Sequence, residues 1–383
     1  MDKFPQSLLE KLQERQEANA LRQLPAQATG ADFSSNDYLG FSSSAAIAEE
    51  AYKYLTHFGL AGNGATGSRL LTGNHDLYNV TETAIAEFHK AESALIFNSG
   101  YDANVGLFSS VPQKQDVVLY DEYIHASIRD GLRLSNANTY KFRHNDVNHL
   151  GKLITRHRDA CAEVYIAVES VFSMDGDSAP LTAIVKLAQK HNFRLIVDEA
   201  HALGVIGDSG QGLVQYLGLE QEVFARIMTF GKGLGCHGAA VLGSPELKTY
   251  LVNFARSFIF TTGLPPHSVA TILAAYNHLG QQGKNEVEKL KDIVSFFNAE
   301  LDRQNLMEHF IISDSAIHCA VISGNDKVKN ISSVLQGNGF DVKPILSPTV
   351  PKGQERLRIC LHSYNTKDEI TSLLIALRKA LLQ

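Results

Sequence analysis

Hydrophobic positions change their period twice along this chain. Residues 7 to 22 are charged and amphipathic, with Leu8, Leu9, Leu12 and Leu21 spaced as on a helix. Phe33-Ser34-Ser35-Asn36-Asp37-Tyr38-Leu39-Gly40 then reads as a short polar turn region. From about residue 45, helical patterns such as Leu181 to His191 alternate with short apolar runs. Six of those runs predict strands: Ala94 to Asn98, Asp116 to Tyr120, Val164 to Glu169, Arg194 to Asp198, Arg226 to Thr229 and Ala239 to Gly243. Strand–helix alternation of this kind predicts an α/β fold, a large and mostly parallel sheet with helices on both faces. Ligands gather at the carboxyl ends of such strands. After about residue 280 a charged helical stretch, Asn285 to Gln304, leads into an α+β segment ending in a helix over Lys367 to Leu382. The expected organisation is an N-terminal segment over 1–45, a large domain over 46–280 and a smaller α+β domain over 281–383.

Composition narrows the class. A chain of 383 residues can bury a large core, and its 20% charged residues are ordinary for a globular enzyme. The net charge of −6 argues against nucleic acid or an anionic membrane surface as partner, because both favour a basic face. Cys161, Cys236, Cys319 and Cys360 form no C-x-x-C pair and suit a reducing compartment. Met1-Asp2-Lys3-Phe4-Pro5 has no apolar stretch of a secretory signal, and no 18-residue apolar run occurs, so the expectation is a cytoplasmic protein without a membrane span.

Two glycine patterns invite a dinucleotide reading: Gly62-Asn63-Gly64-Ala65-Thr66-Gly67 and Gly233-Leu234-Gly235-Cys236-His237-Gly238. That site needs a strand before the glycines and a helix after them. The first follows a helical pattern and the second leads into a strand, so both fail on context. Asp198-Glu199-Ala200-His201 also spells a motif of nucleotide-driven motors, but no Gly-Lys-Ser/Thr phosphate loop accompanies it. No His-Glu-x-x-His and no close His/Cys quartet appears, so no metal site is expected.

The chemistry converges instead on Lys232 and Asp198. Lys232 lies among glycines in Thr229-Phe230-Gly231-Lys232-Gly233, and Asp198 closes the apolar run Arg194 to Asp198. A lysine able to bond a carbonyl cofactor and a buried acid able to hold a pyridine nitrogen protonated are what pyridoxal phosphate requires. A carboxylate at the end of an apolar strand needs a cationic partner, and a protonated pyridine is one. The phosphate would sit at Ser99-Gly100-Tyr101, where a strand gives way to a helix, with Thr229 adding a hydroxyl. His125, just before a helical pattern, could stack on the ring, and His201 could reach its phenolic oxygen.

These segments, with Ser34 to Gly40, His125-Ala126-Ser127 and Val171-Phe172-Ser173-Met174-Asp175-Gly176-Asp177, resemble the α-oxoamine synthase family of pyridoxal phosphate enzymes, in the fold-type I group. The similarity runs from about Arg22 to the C-terminal helix. It implies that Lys232 carries the cofactor and later removes the α-proton of a bound amino acid. It further implies that Asp198 pairs with the pyridinium, that His201 and Ser173 contact the ring or its oxygen, and that His125 stacks. Gly100, Tyr101 and Thr229 would hold the phosphate. Thr261 and Thr262 match a segment that reaches the phosphate of a neighbouring subunit, which implies a homodimer with shared sites. Asn36 and Arg358 match positions on the amino-acid side, Arg358 as the α-carboxylate partner. Arg22 and Thr349 match positions for the acyl substrate or product.

The implied reaction is a decarboxylating condensation of an amino acid with an acyl thioester. Within the family the chain is most similar to the branch that joins alanine to a pimeloyl group on coenzyme A or a carrier protein, in biotin biosynthesis. Glycine with acetyl- or succinyl-CoA, serine with a long acyl-CoA, and a catalytically silent binding subunit are the alternatives. One departure stands out. Relatives on the alanine branch often carry an arginine three residues before the threonine of Pro-Thr-Val-Pro. This chain has Leu346 there, in Ile345-Leu346-Ser347-Pro348-Thr349-Val350-Pro351. Arg22 or Lys343 could replace it as a carboxylate anchor.

Overall fold

The computed structural model describes residues 4–24, 30–158 and 161–382. Two compact units emerge, one of residues 36–173 and 177–291, the other of residues up to 35, 174–176 and 292 onward. The division falls within a single helix, Pro266–Arg303.

The larger unit is built on a seven-stranded sheet. In chain order the strands are β1 (Ser93–Phe97), β2 (Val117–Asp121), β3 (Asn138–Phe142), β4 (Val164–Glu169), β5 (Arg194–Asp198), β6 (Ala225–Thr229) and β7 (Ala239–Gly243). Their order across the sheet is β1-β7-β6-β5-β4-β2-β3. The five strands from β6 to β3 pair in parallel, whereas β7 runs antiparallel to both β1 and β6. Side chains along the central strands alternate between two cores. Val118, Ala167 and Ile196 join one with helix Gly100–Ser110, and Val117, Leu119, Ile166, Val168, Leu195 and Val197 join the other with helix Leu181–His191. A strand buried on both faces reads as a continuous apolar run, which is why β4 to β6 were visible in the sequence.

β3 was not. Its sequence, Asn-Thr-Tyr-Lys-Phe, occupies the sheet edge, where only Phe142 is buried. An edge strand can stay polar because one side of its ladder faces water.

The smaller unit carries a three-stranded antiparallel sheet, with β10 (Arg356–Cys360) between β8 (Ile317–Val321) and β9 (Lys343–Ile345). The closing helix Lys367–Leu381 starts at a capping box of Thr366 and Glu369. The N-terminal helix spans Gln6–Glu17 and stops short of the expected residue 22. Asn19 there adopts a left-handed backbone (φ 48°), which ends a helix. Among the described residues, no helix is long and apolar enough to cross a membrane.

Candidate active site

Three acidic residues finish neighbouring parallel strands: Asp121 on β2, Glu169 on β4 and Asp198 on β5. Asp198 is buried, 5% exposed. One of its oxygens accepts from Asn104 Nδ2 at 2.8 Å and the other from the Ala200 amide at 3.0 Å. Among the described residues it has no ion-pair partner. Asn104 also donates to Ser127 Oγ at 3.0 Å, and Ser127 Oγ lies 2.7 Å from His125 Nδ1. His125 is the N-cap of helix Ala126–Leu134, its Nδ1 accepting from the Ser127 amide at 3.2 Å. Loss of hydration lowers the pKa of His125, Asp198 raises it and Lys232 lowers it, so the imidazole lies within the field of both groups although it is exposed.

Lys232 rides on the loop that joins β6 to β7. The Phe230 amide donates to Gly238 O at 2.9 Å, and the Cys236 amide to Phe230 O at 2.9 Å, closing the loop across its base. Gly235 has φ 59°, and a Cβ there would collide with the backbone of Phe41 and Ser42, so only glycine fits this position. The loop thus presents Lys232 Nζ 2.7 Å from His201 Nε2. His201 Nδ1 in turn lies 2.7 Å from Tyr38 Oη, and Tyr38 donates to Asn36 Oδ1 at 3.2 Å. Tyr38 thus holds one edge of the His201 ring and leaves Nε2 turned to Lys232. Tyr38 is fully buried, so the segment expected as a polar turn supplies an interior anchor.

The residues expected to hold a phosphate lie at the start of one helix and the end of β6. Ser99 caps helix Gly100–Ser110, its Oγ accepting from the Asp102 amide at 3.1 Å, and the first-turn amides lack helical acceptors. A Cβ on Gly100 would stand 2.5 Å from Thr229 Oγ1, so glycine here lets the helix start abut the Thr229 hydroxyl. Tyr101 is exposed and donates to Asp130 Oδ2 at 2.9 Å. Asn98 Nδ2 donates to Thr261 Oγ1 at 3.0 Å and to Thr262 O at 2.7 Å, which sets both threonines beside the end of β1.

Ser173 is buried, and its amide donates to Glu169 Oε2 at 3.3 Å. Glu169 went unnoticed in the sequence, although it closes an apolar run just as Asp198 does. A second cluster lies at the end of β2. His144 is held between Asp121 Oδ1, 3.0 Å from its Nδ1, and Asp177 Oδ2, 2.8 Å from its Nε2. Burial opposes the charge on His144, but the two carboxylates outweigh it and push its pKa up to about 9. Asn145 Nδ2 also donates to Asp177 Oδ2, at 2.7 Å. The Phe172 amide donates to Asp177 O at 2.9 Å, so this clamp fixes the segment that carries Ser173.

The remaining candidates belong to the smaller unit. Arg22 donates from Nη2 to Thr349 Oγ1 at 3.0 Å, joining residues 327 apart in sequence. Arg358 lies buried on β10, with Nη1 2.9 Å from Cys360 Sγ. Lys343 is paired with Asp341 at 2.5 Å, and of the two cations that could replace the missing arginine, only Arg22 adjoins Thr349. Neither glycine pattern forms a dinucleotide turn. Gly62–Gly67 lies in a loop after helix Ala45–His57, and Gly233–Gly238 leads into β7.

The residues present fit pyridoxal phosphate. Asp198 is a buried carboxylate with two neutral donors and no paired cation among the described residues, the arrangement a protonated ring nitrogen completes. Lys232, His201, His125 and the Gly100–Thr229 cradle belong to the same unit.

The chain belongs to the aminotransferase class I and II family, which it matches over residues 28–377. Among curated relatives, the 8-amino-7-oxononanoate synthase of Emericella nidulans is 42% identical over 392 residues, covering 96% of this chain and 93% of the relative. The solved 8-amino-7-oxononanoate synthase of Francisella tularensis superposes with a TM-score of 0.76 at 29% identity, covering 92% of this chain and 98% of that one. A serine palmitoyltransferase from S. paucimobilis, solved with pyridoxal phosphate and myriocin, reaches a TM-score of 0.88 at 26% identity over 98% of this chain and 96% of its own. These neighbours place the fold in the fold-type I group.

Proposed function

We propose that this chain uses pyridoxal phosphate to condense alanine with a pimeloyl thioester, releasing carbon dioxide and giving 8-amino-7-oxononanoate, a step of biotin biosynthesis. The open carboxylate of Asp198, facing a site that also holds Lys232 and His201, carries the cofactor reading. The near full-length identity to 8-amino-7-oxononanoate synthases supports the substrates.

When bound, pyridoxal phosphate supplies a protonated ring that withdraws electrons from the amino acid's α-carbon. Asp198 keeps the ring nitrogen protonated, and Asn104 with the Ala200 amide keeps that carboxylate aimed. His201 offers Nε2 to the phenolic oxygen or its proton, and Ser173 adds a hydroxyl there. His125 covers one ring face. The amides of Gly100 and Tyr101 and the Thr229 hydroxyl hold the phosphate. Lys232 Nζ anchors the cofactor and then takes the α-proton, its position fixed by the closed loop beneath it. Asn36 and Arg358 orient the amino acid, Arg358 through the carboxylate. Arg22 and Thr349, already in contact, receive the acyl group.

Thr261 and Thr262 extend this reading to a homodimer in which each copy contributes to its neighbour's phosphate site. A fully active monomer in sedimentation would refute the shared site. The resemblance to serine palmitoyltransferase favours a second reading, serine with a long acyl thioester. A panel of alanine, glycine and serine against pimeloyl, acetyl, succinyl and palmitoyl thioesters, on both CoA and carrier protein, separates the two. Turnover with alanine and pimeloyl thioester is expected, and turnover confined to any other pair overturns the proposal.

A further inference from the structure

Glu169 has no part in the roles above, yet it is the most conspicuous acid of the site. It closes β4 and is the direct register partner of Asp198 on β5. Its side chain is 3% exposed. Oε2 accepts from the Ser173 amide at 3.3 Å, and the His125 amide also faces the carboxyl group. Oε1 is buried and makes no hydrogen bond among the described residues. The charged groups around it are Asp198 and Lys232. Asp198 accepts from two donors at 2.8 and 3.0 Å, whereas Glu169 has the long contact from Ser173 and the facing His125 amide, and no cation paired with it among the described residues. Two buried carboxyl groups side by side do not both ionise, and Glu169, whose Oε1 meets no donor among the described residues, is the one that stays neutral.

We propose that Glu169 is a positioning residue held as a neutral acid: it ties the Ser173 and His125 amides to the end of β4 and leaves Asp198 the single negative charge under the bound ring. The electrostatics agree in direction. Burial first, and then the charge of Asp198, push Glu169 up to about 8 against the opposing pull of Lys232. Ionisation above that value puts a second negative charge beside Asp198 and facing Lys232. This inference rests on the cofactor reading above for its catalytic consequence, but the protonation itself is a property of the chain alone.

The experiment therefore has two arms. In the cofactor-free chain, the folded-state pKa of Glu169 lies above its ordinary 4.5, so wild type loses stability relative to Glu169→Gln as pH rises from 4.5 through about 8. Infrared spectra of wild type show a protonated carboxyl band at neutral pH that fades through the same range, and Glu169→Gln lacks it. In the loaded enzyme, Glu169→Ala lowers kcat about tenfold with little change in KM, the loss of one site hydrogen bond. In wild type the visible band of the bound cofactor is expected to shift as pH rises through about 8, and Glu169→Gln, which keeps a neutral group of the same shape, restores kcat and removes that shift. A protonated band absent from wild type, or a stability difference flat across that pH range, overturns the proposal whatever the enzyme does. If the cofactor fails to bind while the first arm succeeds, the functional reading fails and the neutral acid stands.

Discussion

Asp121 and Asp198 occupy equivalent places, at the carboxyl ends of β2 and β5 with β4 between them, and both are buried. Their surroundings differ in one respect. Asp121 finds its cation within the unit, since His144 bridges it to Asp177, and it also accepts from the Tyr123 and Asn145 amides at 2.8 Å each. Asp198 finds neutral donors only. Asp121, with an internal cation, is part of the scaffold, while Asp198, which has none among the described residues, awaits a cation from outside. The same strand end thus serves for structure in one place and for chemistry in another, and the partner alone distinguishes them.

Substitution can break this comparison. The largest effect falls on the open side. Lys232→Ala should lower kcat/KM by about ten-thousandfold and abolish borohydride fixation of the cofactor, read by steady-state assay and mass spectrometry. Retained fixation would place the cofactor on another lysine. Asp198→Asn should cost about a thousandfold in kcat with little change in unfolding midpoint. Asp121→Asn should do the reverse, costing about 2–3 kcal/mol of stability in urea with a much smaller effect on turnover per folded molecule. If the two variants behaved alike, the distinction would fail.

Acidity sharpens the closed side. The pKa of His144 is raised from 6.5 to about 9, so its clamp is fully present below 6.5 and is lost as pH rises through about 9. Wild type should lose about 1–2 kcal/mol relative to His144→Gln across that window, allowing for partial exposure. Parallel stability profiles would show that the clamp is uncharged. The smallest effect tests a missing cation in the other unit. Leu346→Arg should lower KM for the pimeloyl thioester about two- to fivefold, as expected of an exposed ion pair. An unchanged KM would mean that the position does not meet the acyl carboxylate.

Much of this site was legible because its chemistry sits where buried strands end. Lys232, Asp198 and His201 stand next to apolar runs that only a doubly covered sheet explains. Ser99-Gly100-Tyr101 and His125 stood out because each leads into a helical pattern. Other parts left weaker traces. β3 is polar because it is an edge, and its pattern cannot be told from a loop. Tyr38 lies in a polar stretch, and nothing in its spacing says that it anchors the far side of His201. Glu169 was hidden by the run that revealed its strand, since an acid closing an apolar segment reads first as a boundary. The pairing of Arg22 with Thr349 joins segments at opposite ends of the chain, and local pattern carries no information about it.

The reversed direction of β7 has a consequence for motion. Parallel strands are joined by long crossovers that can swing, but β6 and β7 are antiparallel neighbours, and the loop between them is tied at both legs into the sheet. Lys232 therefore cannot act as a moving arm carried by its backbone. Its nitrogen travels between cofactor and substrate only as far as its own four methylenes swing, and any opening that admits an acyl chain takes place in elements other than the one that bears the lysine.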